Sequence, residues 1–89
     1  MEKAFVTDTI QSICKDIGFP FITKVKTEKW KADVLVDCGP YKIAFNVCNL
    51  PRNVEEVYLA MRQERVCGCW MLMPSFRKIV LSKLPCFYI

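Results

Sequence analysis

Gly39-Pro40 stands between two runs that alternate in polarity, Lys31 to Cys38 and Tyr41 to Cys48. Successive side chains on a strand point to opposite faces, so period-two alternation is the mark of a strand. A Gly-Pro pair is a turn signal, and strands joined by so short a turn are antiparallel. A two-residue loop pairs Cys38 with Tyr41 and so fixes every other pair: Val36 with Ile43, Val34 with Phe45, Ala32 with Val47. These pairs are apolar and share one face, which supports the register independently. On the other face Asp37 meets Lys42, Leu35 meets Ala44, Asp33 meets Asn46 and Lys31 meets Cys48.

The rest of the chain organises around this hairpin. Residues near 3 to 17 place Val6, Ile10, Ile13, Cys14 and Ile17 on one helical stripe, and Gly18 and Pro20 stop the helix. Phe21 to Thr27 reads as a strand, followed by the polar connection Thr27-Glu28-Lys29. After the hairpin, Asn49-Leu50-Pro51-Arg52 breaks the sheet. Asn53 is then a good N-cap, with Glu56 completing a capping-box pattern. Val54, Val57, Tyr58 and Met61 give this second helix its apolar stripe, and Gly68 is its expected stop. Cys69 to Met73 is a continuous apolar run, as in a strand buried on both faces. Pro74 closes that strand. Ser75 caps a short helix carrying Phe76, Ile79 and Val80, and Pro85 leads into an edge strand, Cys86 to Ile89. The expected order is α-β-β-β-α-β with a short C-terminal α-β extension, a single α/β domain over residues 1–89 with a mixed sheet.

Composition bounds the function. With 89 residues, 53% of them hydrophobic, the chain is one small domain able to build a core without staples. No apolar run approaches the ~18 residues of a membrane span, and Met1-Glu2-Lys3-Ala4 is unlike the start of a signal peptide. A cytoplasmic protein with no membrane contact is expected. The six cysteines are read as free thiols, since Cys14, Cys38, Cys48 and Cys69 fall on core-facing or strand positions. Cys67-Gly68-Cys69 is too tightly spaced for a zinc knuckle and the chain has no histidine. Neither metal nor other cofactor is expected. The net charge of +4 comes from clusters at Lys24, Lys26, Lys29 and Lys31, at Arg62 and Arg65, and at Arg77, Lys78 and Lys83.

The hairpin "KADVLVDCGPYKIAFNVC", followed by a helix and "GCWMLMP", resembles the PD-(D/E)XK, or restriction-endonuclease-like, superfamily. It looks most like competence-type CoiA nucleases or the RAP domain. The resemblance covers roughly Met1 to Pro74. It implies an α-β-β-β-α-β core in which an aspartate on one hairpin arm and an acid-x-lysine on the next bind a divalent metal and activate water. Asp33 matches the first aspartate. Asn46 stands where the second acid belongs and Cys48 where the lysine belongs, so these are vestigial positions. Arg62 matches a basic residue on the second helix of some relatives. A neutral amide is a weak ligand for a hard cation, and a thiol cannot replace an ammonium beside developing phosphate charge. The resemblance therefore implies a nuclease fold with a degenerate site.

The expected function is a catalytically inactive module that binds nucleic acid. Its contacts are Lys24, Lys26, Lys29 and Lys31 with Trp30 between them, together with Arg62 and Arg65. Trp30 reads equally as a hydrophobic plug, and Trp70 reads as core. A protein-interaction module, such as a homodimer joined through Cys86–Ile89, is the alternative. An active metal-dependent nuclease is the third reading, and it lacks the second carboxylate and the lysine.

Overall fold

The computed structural model describes residues 3–72 and 86–88. The expected C-terminal helix at Ser75 to Val80 lies outside the described residues. Helix α1 (Lys3–Ile17) leads into strands β1 (Phe21–Lys26), β2 (Lys31–Asp37) and β3 (Lys42–Val47). Helix α2 (Val54–Gln63) then carries the chain to β4 (Val66–Leu72), and β5 (Cys86–Tyr88) follows. The five strands form one sheet in the order β1-β2-β3-β4-β5. The first three are antiparallel neighbours, whereas β3, β4 and β5 run parallel. No helix among the described residues is long and apolar enough to cross a membrane.

The hairpin register is the one its turn dictates. Val34 faces Phe45, Leu35 faces Ala44, Val36 faces Ile43 and Asp37 faces Lys42. Cys38 N–H donates to the Tyr41 carbonyl at 3.0 Å. Gly39 adopts φ 95°, which glycine reaches without steric cost, and its N–H donates to Asp37 Oδ1 at 2.9 Å. The β1–β2 turn is held by Thr27. Its hydroxyl donates to the Trp30 carbonyl at 2.9 Å and accepts from the N–H groups of Lys29 and Trp30.

Helices cover both faces of the sheet, so there are two cores. On the α1 side Cys14, Val34 and Val36 are buried, with Ile10, Phe21, Cys38 and Phe45 packed around them. The larger α2-side core includes Trp30, Ala32, Leu35, Ala44, Met61 and Trp70. Leu35 and Ala44, on the hairpin face that carries its polar residues, are thus buried beneath a helix.

Four local expectations need correction. Ile13 and Ile17 are 52% and 56% exposed, because the sheet meets only the Val6, Ile10, Cys14 row of α1. Ala32 joins the α2-side core and not Val34 and Val36. The alternation breaks beside it, where Lys24 takes φ 53° and the β1–β2 pairing skips from Thr23↔Val34 to Val25↔Ala32. Asn53 occupies the N-cap, but its side chain caps no backbone N–H and instead donates to Glu56 Oε2 at 3.2 Å. Gly68 does not end α2. The helix turns out through Glu64 and Arg65, the latter at φ 60°, and Gly68 lies inside β4. A Cβ there would fall 2.7 Å from Met61 Sδ and 2.8 Å from the Trp70 ring. Close approach of helix and strand, not helix termination, requires this glycine.

Candidate functional site

Where β2 and β3 part, side chains replace the ladder. The paired register ends at Val34↔Phe45. Beyond it Val47 N–H donates to Asp33 Oδ2 at 2.8 Å, and Asn46 Nδ2 donates to the Lys31 carbonyl at 2.9 Å. Asp33 Oδ1 is also ion-paired with Lys3 of α1 at 3.0 Å. Asp33 and Asn46 therefore bind each other's strands and not each other.

They also serve different sides of the sheet. Asp33 reaches α1, whereas Asn46 lines a cavity on the α2 side with Trp30, Val57 and Trp70. The expectation of one shared polar face is corrected by the break in alternation at Asp33 and by burial under α2. Cys48 departs further. It follows β3 at φ 56°, a left-handed conformation that ends strand alternation, and its N–H donates to the Met71 carbonyl at 2.7 Å.

The α2-side cavity has a volume of about 260 Å³. It opens between the β1–β2 turn and the loop that leaves the carboxyl end of β3, a region where open α/β sheets hold ligands. Lys26, Lys29 and Lys31 line it together with Glu28, whose carboxylate offsets one of the three positive charges, and all four are exposed. Asn49, Pro51 and Asn53 come from the loop after β3. Asn46 lines it at 3% exposure, and its Oδ1 is the buried side-chain polar atom without a hydrogen-bond partner among the described residues. Native structures leave few buried polar atoms unpaired.

The cavity thus gathers part of the expected contact set. Lys26, Lys29, Trp30 and Lys31 meet there; Lys24, Arg62 and Arg65 do not. Arg62 lies over the Tyr58 ring, 5.9 Å from its centroid. Arg65 lines a separate groove on the far side of Trp30, beside Tyr41 and Lys42. Trp30 is a plug and not an open stacking platform. It is 8% exposed, and its indole N–H donates to Glu64 Oε2 at 2.8 Å. Trp70, 1% exposed, is core as expected.

Sequence reasoning missed Lys3 as the partner of Asp33 and Asn49, Pro51 and Asn53 as cavity residues. The available signal for Asn46 was one amide between Phe45 and Val47 in a strand otherwise fit for burial. Among the described residues no group of three or more histidine, cysteine or acidic side chains is placed to hold a metal ion. Compared with protein-family models, with curated proteins and with solved structures, the chain matches none.

Proposed function

We propose that this protein is a catalytically inactive relative of the PD-(D/E)XK nucleases that binds nucleic acid through the Asn46 cavity and its lysine rim. The observation that carries the proposal is the convergence of Lys26, Lys29 and Lys31 on one cavity. Ammonium groups on a rim suit phosphates. The element order and the antiparallel-then-parallel sheet support the nuclease relationship, whereas the site geometry counts against it, because Asp33 and Asn46 do not share a face. Catalytic inactivity is supported by what Asp33 does. Its two oxygens serve Lys3 and Val47 N–H, so it is a structural carboxylate rather than a free metal ligand.

Fluorescence anisotropy with labelled single- and double-stranded DNA and RNA at ~50 mM salt, where phosphate contacts are strongest, tests this. Binding that falls away in the triple variant Lys26→Glu, Lys29→Glu, Lys31→Glu is the expected result. Undetectable binding to every nucleic acid would favour a protein partner.

That second reading has its own observation. Among the described residues β1 and β5 are the two outermost strands of the sheet, and an unpaired strand edge can pair with another chain. Phe5, Ile13, Ile17, Phe19 and Ile22 are also exposed. Sedimentation of a dimer at micromolar concentration would support it.

A further inference from the structure

Trp30 and Trp70, the aromatic residues in the wall of the lysine-rimmed cavity, are 8% and 1% exposed, so neither offers an open ring face. Tyr41 does. It is 50% exposed and lines the groove on the far side of Trp30, a depression of about 410 Å³ whose apolar wall includes Val25, Leu35 and Val66. That volume lies within the ~300–1,000 Å³ of small-molecule sites.

Lys42 and Arg65 bring two cations to the same groove, and both are exposed. The backbone fixes them as neighbours, because Lys42 N–H donates to the Arg65 carbonyl at 3.0 Å. Among the described residues neither is ion-paired. The acids beside them are engaged elsewhere. Asp37, opposite Lys42 in the ladder, accepts the Gly39 N–H, and Glu64 in the groove wall accepts the Trp30 indole N–H. Two adjacent cations without a counterion favour an anion, and an exposed aromatic ring beside them favours one that carries a planar group.

Resting on the nucleic-acid reading above, we propose that this groove is a second subsite for the same single strand, with a base stacked on Tyr41 and phosphates on Lys42 and Arg65. Cavity and groove share Thr27 and Trp30 in their walls, so they adjoin across the β1–β2 turn. A third depression, lined by Thr27, Glu28, Lys29, Gln63 and Glu64 among others, shares residues with both. Glu28 and Glu64 stand on this crossing, so the phosphate contacts lie at its two ends and the crossing stretch adds none. Every base has a π-face, so stacking on Tyr41 lengthens the footprint without selecting a sequence.

Anisotropy titrations of labelled oligo(dT), from about 4 to about 16 nucleotides, the range of single-strand site sizes, test this. Strands too short to span both subsites should show the salt slope of the three cavity lysines, about −2, and strands that reach the groove should steepen it to about −3.5. For those longer strands Tyr41→Ala should weaken binding about five- to 150-fold, the worth of one stacked base, whereas Tyr41→Phe should keep it within about twofold. Lys42→Gln with Arg65→Gln should return their slope to about −2. Because Tyr41→Ala also alters the end of the hairpin, an NMR titration of the unmodified protein with the longest strand is the companion measurement, in which the Tyr41 ring signals should shift. Long-strand affinity that Tyr41→Ala leaves unchanged would overturn the groove subsite and leave the cavity reading standing. Tyr41 signals that stay in place while the strand binds would overturn it in the same way. Absence of binding at every length would overturn both.

Discussion

The indole N–H of Trp30 donates to the Glu64 carboxylate across 2.8 Å, tying the β1–β2 turn to the C-terminal end of α2. A carboxylate at a helix C-terminus opposes the helix dipole, so its service to Trp30 is the gain that offsets this. Glu64→Ala should cost about 1.5–3 kcal/mol, the ordinary worth of a hydrogen bond to a charged group, and Glu64→Gln, which keeps an acceptor, should cost less. Trp30→Ala should cost about 3–5 kcal/mol and weaken ligand binding, since it removes a cavity wall. Urea unfolding measures both. A Glu64→Ala loss as large as that of Trp30→Ala would contradict this division.

Asp33 holds β3 where the ladder ends, and its worth lies in accepting Val47 N–H. Asp33→Ala should cost about 1–3 kcal/mol because it orphans that donor. Asp33→Asn, which still offers an oxygen, should cost under about 1 kcal/mol. Lys3 is half exposed, so Lys3→Ala should change stability by no more than about 1 kcal/mol. Neither Mg²⁺ nor Mn²⁺ should promote cleavage of DNA or RNA by the unmodified protein. Metal-dependent cleavage that Asp33→Ala abolishes would contradict the structural role.

Much of the frame was legible in the chain because short-range chemistry dictates it. Gly39-Pro40 and the flanking alternation yielded the register, and Gly18-Pro20 yielded the end of α1. What stayed hidden depends on contacts distant in sequence. Period-two alternation assigns Leu35, Ala44 and Asn46 a common face but cannot say that α2 covers it, so from the sequence Asn46 is only the cross-strand partner of Asp33. The left-handed residues Lys24, Cys48 and Arg65 carry no local sign, since none is glycine or asparagine. The lysine cluster was visible as charge; that three of its members share a cavity with Asn46 emerged only from the fold.

Gly68 was the clearest misreading, and it is directly testable. Gly68→Ala should destabilise the protein by about 1–3 kcal/mol through overpacking, since the added Cβ meets both Met61 and Trp70. Pairing it with Met61→Ala, which makes room, should recover part of that loss relative to Met61→Ala alone. Additive losses in thermal or urea unfolding would place the strain elsewhere.

Burial holds the Cys14 thiol above its ordinary value of 9.0, and neighbouring Cys38 adds to the effect. The folded state therefore favours the neutral thiol. Its contribution to stability is fully present below the unfolded pKa and is lost as pH rises from about 9 through the higher folded value. Stability measured from pH 7 to 10 should decline less steeply above pH 9 in Cys14→Ala than in the unmodified protein. Identical alkaline slopes would show that Cys14 is not the group responsible. At pH 8, iodoacetamide should also modify Cys14 more slowly than the half-buried Cys48 and Cys67.

The central claim is that the lysines of the Asn46 cavity bind phosphates, and the salt dependence of single-strand affinity tests it most directly. Three phosphate contacts predict a slope of log K against log salt near −2, or about a twentyfold loss between ~50 and ~200 mM. Lys26→Glu, Lys29→Glu, Lys31→Glu should flatten that slope and weaken binding, whereas Lys24→Glu and Arg62→Glu, which lie outside the cavity, should leave it close to −2. A slope near zero in the unmodified protein, or one that the triple variant leaves unchanged, would contradict the account.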